Sequence, residues 1–123
     1  MKIRIQGNSI RFRLKQFEVE TLVDKKIVKE VICFGEVEKD QLQFILQVAN
    51  GDFSLEQHST IIQLNIPENK AEEWTQTDLV GFEQNIRTAK GKEINILVEK
   101  DFKCLTRSDE EEAGSYPNPM KQC

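Results

Sequence analysis

Residues 2–15 read KIRIQGNSIRFRLK, and this stretch decides the fold class. Ile3, Ile5, Ile10, Phe12 and Leu14 alternate with Lys2, Arg4, Arg11 and Arg13. That period of two puts apolar side chains on one face of a strand and charged ones on the other. Gly7-Asn8 falls at the midpoint, where a two-residue turn requires backbone that accepts positive φ. The stretch therefore predicts a β-hairpin with one buried face. Such a turn also sets the register, with Gln6 opposite Ser9, Ile5 opposite Ile10, Arg4 opposite Arg11, Ile3 opposite Phe12 and Lys2 opposite Arg13.

From Lys15 to about Asp24 the apolar residues Phe17, Leu22 and Val23 move to helical spacing and predict a short helix. The β-branched run Ile27, Val28, Val31 and Ile32 predicts a strand ending at Phe34-Gly35, with Cys33 packed between its neighbours. Leu42, Phe44, Leu46 and Val48 then alternate up to Asn50-Gly51, a strong hairpin turn signal, with Phe53 and Leu55 opening the return strand. Thr60 to Ile66 is again β-like. Asn65, Pro67 and Glu68 form a capping-box pattern for a second helix, whose Ala71 and Trp74 face the core. Val80, Phe82 and Ile86 predict a strand, Lys90-Gly91 a turn, and Ile94, Ile96 and Val98 the last strand.

These elements predict an α+β fold: a curved or partly closed, largely antiparallel sheet of about seven strands, with two helices covering its apolar face. Their order suggests a duplicated strand-strand-helix-strand unit. The expected core is Ile3, Ile5, Ile10, Phe12, Leu14, Leu22, Phe44, Leu46, Leu64, Trp74, Phe82, Ile96 and Val98. One domain is expected over residues 1–105. Residues 106–123 hold an acidic block and two prolines with little apolar content, and are expected to form a mobile tail.

With 123 residues, 17 basic and 21 acidic, the net charge is -4. Asp109 to Glu112 account for that excess, so the chain lacks the overall basic face of a general nucleic-acid binder. No apolar run approaches the roughly 20 residues of a membrane span, and Met1-Lys2 leads into an alternating segment rather than a signal peptide. The expected location is the cytoplasm. Three cysteines, Cys33, Cys104 and Cys123, fit a reducing compartment better than a disulfide scaffold.

No catalytic set stands out. His58 is the single histidine, and His58-Ser59 are adjacent on a strand, so they point to opposite faces. GxSxG, GxGxxG and GxxxxGK are absent. Cys104 and Cys123 with Asp109 could offer sulfur and oxygen ligands, but their spacing matches no established zinc pattern, so no metal site and no cofactor are assigned. The chemistry-bearing feature is the first hairpin. Its register sets Arg4 against Arg11 and Lys2 against Arg13, and like charges directly opposite cost roughly 0.2–1 kcal/mol per pair. Two compensations are open. One is a carboxylate ladder from Glu93, Glu99 and Asp101 on the last strand, and the other is a bound anion, which arginine's planar fork suits. The candidate ligand residues are thus Lys2, Arg4, Arg11 and Arg13, and the candidate partners a small anion or an acidic protein. With no catalytic set in view, the expectation leans to a non-enzymatic binding or interaction module.

The strings KIRIQGNSIRFRL, LVGFEQNI, ILVEKDFKCL and the terminal YPNPMKQC resemble an uncharacterised family of small bacterial proteins classed as a domain of unknown function. That resemblance spans Lys2 to Cys123 and implies a bacterial cytoplasmic protein, with no activity or cofactor to carry over. In architecture, duplicated strand and helix units with charged strand faces are also similar to the triphosphate-tunnel (CYTH) superfamily. This likeness implies the alternative of a phosphate-handling enzyme, with the hairpin cations on a polyphosphate and Glu99 or Asp101 on a metal. The E-x-E-x-K signature of that superfamily's first strand is not matched, since Lys2-Ile3-Arg4-Ile5-Gln6 stands there.

Overall fold

In the computed structural model, which describes residues 1–102, alternation builds eight strands and helical spacing builds two helices. The order is β1 (Lys2–Gln6), β2 (Ser9–Leu14), α1 (Gln16–Lys25), β3 (Ile27–Cys33), β4 (Gln41–Ala49), β5 (Ser54–His58), β6 (Ile61–Pro67), α2 (Glu68–Gln76), β7 (Gly81–Arg87) and β8 (Glu93–Lys100). The strands form two four-stranded mixed sheets, β1-β2-β8-β7 and β3-β4-β6-β5, in place of the single sheet of about seven strands expected from the sequence. In each sheet the central pair is parallel, β2 with β8 and β4 with β6, and the flanking pairs are antiparallel hairpins. Residues Cys104 and Cys123, the acidic block and the boundary expected at 105 lie outside the described residues.

The first hairpin forms in the expected register throughout, with Gly7 at φ 58 in its turn. The expected hairpin at Asn50-Gly51 does not form. Gly51 does adopt a positive φ of 100, but β6 lies between β4 and β5. Phe53 packs its ring 5.6 Å from that of Phe82 in the other sheet and carries the chain away from β4. The tight reversal comes instead between β5 and β6, where Ser59 takes φ 54. The capping role expected of Asn65 is also not realised. Asn65 is still in β6, and Pro67, which offers no capping side chain, is the residue that precedes α2. At α1, Glu18 reaches back to accept from the Lys15 N–H at 2.9 Å, which satisfies one of the orphan donors of a helix start.

The duplication has a different unit from the one expected. Hairpin, helix, hairpin occurs twice, as β1-β2-α1-β3-β4 and β5-β6-α2-β7-β8, and each sheet takes one hairpin from each copy. Phe12 pairs with Val98 as Leu64 pairs with Leu46, so equivalent positions in β2 and β6, and in β4 and β8, are 52 residues apart. The same offset relates Leu22 of α1 to Trp74 of α2, both fully buried.

One core lies between the sheets, built from Phe12, Leu14, Ile96, Val98 and Phe82 of the first, Val28, Phe44, Leu46, Leu64 and Ile66 of the second, and Leu22, Ala71 and Trp74 of the helices. Trp74 meets Phe82 edge to face at 5.7 Å and donates its Nε1–H to the Val80 carbonyl at 3.0 Å, so its polar atom is satisfied where water is excluded. Three expected core residues fall short, and their place in the sheet explains it. Along the row Ile96, Ile10, Ile5, burial decays from the central strand to the edge: Ile96 is closed off, Ile10 half-buried and Ile5 60% exposed. Ile3, also on edge strand β1, is half-buried against the core. Cys33, expected to pack, is exposed on edge strand β3. Among the described residues, no helix is long and apolar enough to cross a membrane.

Candidate functional site

The alternation that buries Phe12, Leu14, Ile96 and Val98 turns their neighbours outward, so Lys2, Arg4, Arg11 and Arg13 share the outer face of sheet β1-β2-β8-β7. Three rows cross this face. The first is Lys2, Arg13, Glu99, Gly81; the second Arg4, Arg11, Leu97, Glu83; the third Gln6, Ser9, Asn95, Asn85. All four sequence-predicted residues are brought together, and both like-charged pairs are realised.

Part of the expected carboxylate ladder is in place. The Arg13 Nε–H donates to Glu99 Oε1 at 2.9 Å, Arg11 Nε lies 3.4 Å from the same oxygen, and Lys2 Nζ is 3.2 Å from Asp101 Oδ2. Glu93 takes a different role, pairing across the ladder with Arg87 while its carbonyl accepts from Asn8 Nδ2 at 2.6 Å. Arg4 has no carboxylate partner among the described residues; its Nη2 donates to Gln6 Oε1 at 3.3 Å. A depression of about 300 Å³ opens here, lined by Arg4, Gln6, Ser9, Ile10, Arg11, Glu83, Asn95 and Leu97.

The lining was only half legible in the sequence. Arg4 and Arg11 follow from the hairpin, whereas Leu97, Asn95 and Glu83 enter through the parallel pairing of β2 with β8, which no local signal announces. A second charged cluster also went unforeseen. The Met1 α-ammonium donates to Glu18 of α1 and, at 2.6 Å, to Glu30 of β3, tying the first strand to both a helix and the other sheet. Burial disfavours this ammonium, but its hydrogen bonds to Glu18 and Glu30 and the negative charge of both carboxylates outweigh it and raise the amine above its ordinary value of 8.0.

The interior is not a polar tunnel. Among the described residues, large apolar side chains fill the space between the sheets and the four cations face away from it. His58 lies 3.7 Å from Glu56 Oε1 at the exposed edge of the second sheet. Among the described residues, no group of three histidine, cysteine or acidic side chains could hold a metal.

A family model described as a family of unknown function (DUF7009) matches residues 1–120, and the chain belongs to that family. No curated protein and no solved structure matches it.

Proposed function

We propose that this DUF7009 member is a non-enzymatic binding module whose ligand surface is the outer face of sheet β1-β2-β8-β7, with Lys2, Arg4, Arg11 and Arg13 recognising a small anion or an acidic partner protein. The observation that carries this reading is internal. The second sheet has the same strand order and the same register 52 residues on, yet Ser54, Glu56, Gln63 and Asn65 stand where the first has Lys2, Arg4, Arg11 and Arg13. There Gln63 donates to Gln47 at 2.9 Å, and Asn65 donates to Ser54 at 2.8 Å and to Glu56 at 2.9 Å, a ladder of amides and one carboxylate that holds no cation. The cations are thus not a demand of the architecture, and two like-charged pairs weaken it. Arginine at Arg4 and Arg11 adds planar donor forks suited to carboxylate or phosphate.

The test is a titration of the full chain with inorganic phosphate, tripolyphosphate and a polyglutamate peptide at low ionic strength, where exposed charges are least screened. Binding that weakens on Arg4→Ala and Arg11→Ala is the expected outcome. Unchanged affinity in both variants, or magnesium-dependent turnover of tripolyphosphate, overturns the reading.

A further inference from the structure

The row that crosses the depression is not uniformly basic. Arg4 and Arg11 occupy β1 and β2, Leu97 occupies β8, and Glu83 occupies β7 at its far end. All four line one hollow. The Glu83 side chain is exposed and makes no hydrogen bond or ion pair with another described residue, just as Arg4 has no carboxylate partner among them. Arg4 and Glu83 therefore stand with opposite charge at the two ends of one row, and Arg11 and Leu97 hold them apart. A simple anion would satisfy the cationic end and meet repulsion from Glu83 as it spread across the hollow. A simple cation would meet the reverse.

We propose that the hollow takes a small zwitterion, its anionic group on Arg4 and Arg11, its cationic group on Glu83, and a short apolar body over Leu97. This rests on the anion-binding reading above and adds the second end. Ser9, Gln6 and Asn95 form the polar margin along one side of the same hollow. The strand geometry sets the length. β2 and β7 are two strand spacings apart, about 10 Å, and a hydrogen bond at each end can take up about 3 Å. The ligand's two charges are then about 4 to 10 Å apart, the span of an ω-amino acid of four to eight carbons.

The experiment is an NMR titration of the full-length protein with 6-aminohexanoate, hexanoate, hexylammonium and inorganic phosphate, read at the amides of residues 4, 11, 83 and 97. The expected result is that 6-aminohexanoate binds about two- to fivefold more tightly than hexanoate, the range one exposed ion pair supplies. Glu83→Gln removes that preference and retains hexanoate binding. Glu83→Lys, a second variant at the same exposed position, reverses it in favour of hexanedioate. Melting curves confirm that both variants are folded. If 6-aminohexanoate and hexanoate bind equally to the unaltered protein, the zwitterion assignment is overturned and the anion site stands. If neither binds, nor phosphate, the anion site falls and the zwitterion with it.

Discussion

Arg13 and Asn65 occupy equivalent places in the two sheets, 52 residues apart, and each borders the position that is Glu99 in one sheet and Gln47 in the other. The same backbone thus carries a charged solution and a neutral one at a single site. Glu99→Gln alone should destabilise the fold by about 1–2 kcal/mol, because the oxygen shared by Arg11 and Arg13 loses its negative charge. Adding Arg13→Asn, which recreates the pair of the second sheet, should recover more than half of that loss. Urea denaturation of the single and double variants measures it, and additive losses would show that the sheets are not interchangeable here.

Stability should respond to pH through Met1. Its amine is raised above 8.0 in the folded state, so the folded chain holds this proton more tightly than the unfolded one. The contribution is full below about pH 8 and is lost as pH rises through the higher folded value. Denaturation midpoints between pH 7 and 10 should therefore fall with pH, and Glu30→Gln should flatten that fall. A slope unchanged by this substitution would assign the pH dependence to other groups.

Glu18 joins Met1 to the helix start, accepting from the Lys15 N–H as well as the ammonium, and it is only 8% exposed. Glu18→Gln should cost about 1–3 kcal/mol, the range for breaking a buried charge-assisted hydrogen bond. Loss of α1 helicity at residues 16–18 in the same variant, seen as faster amide exchange, would assign part of the cost to the cap.

Trp74 is fully buried and hydrogen-bonded through its indole N–H to Val80. Its emission should be blue-shifted in buffer and redden in one cooperative step on unfolding. Trp74→Ala should destabilise by about 3–5 kcal/mol, the range for deleting a large core aromatic. Emission already red in the native protein would contradict the placement of α2.

Gly81 sits beside Glu99 in the first row of the basic face, where a Cβ would come 2.5 Å from the Val98 carbonyl oxygen and 2.9 Å from the Glu99 Cβ. Gly81→Ala should therefore cost about 1–3 kcal/mol through displacement of β7 from β8. It should also shift the amides of residues 97–99. A stabilised variant would mean that the two strands can part without penalty.

Alternation and Gly7-Asn8 determined the first hairpin to the residue, because a side-chain period of two and a two-residue turn leave one register that puts Ile3, Phe12 and Leu14 on a common face. Alternation also located most of the core and the four cations, and helical spacing located both helices. Only the tertiary structure decided which strands lie side by side. Asn50-Gly51 has the chemistry of a hairpin turn, yet β4 pairs with β6, while Phe53 packs on Phe82 of the other sheet. Likewise the parallel pairing of β2 with β8 joins Arg11 to Leu97 across the whole chain, and through it to Glu83. Such neighbours are selected by the packing of one core between two sheets, a property of all the strands together. Ile5 shows the same limit: its polarity assigns it a face, but its exposure comes from standing on the outermost strand, where no second layer reaches it.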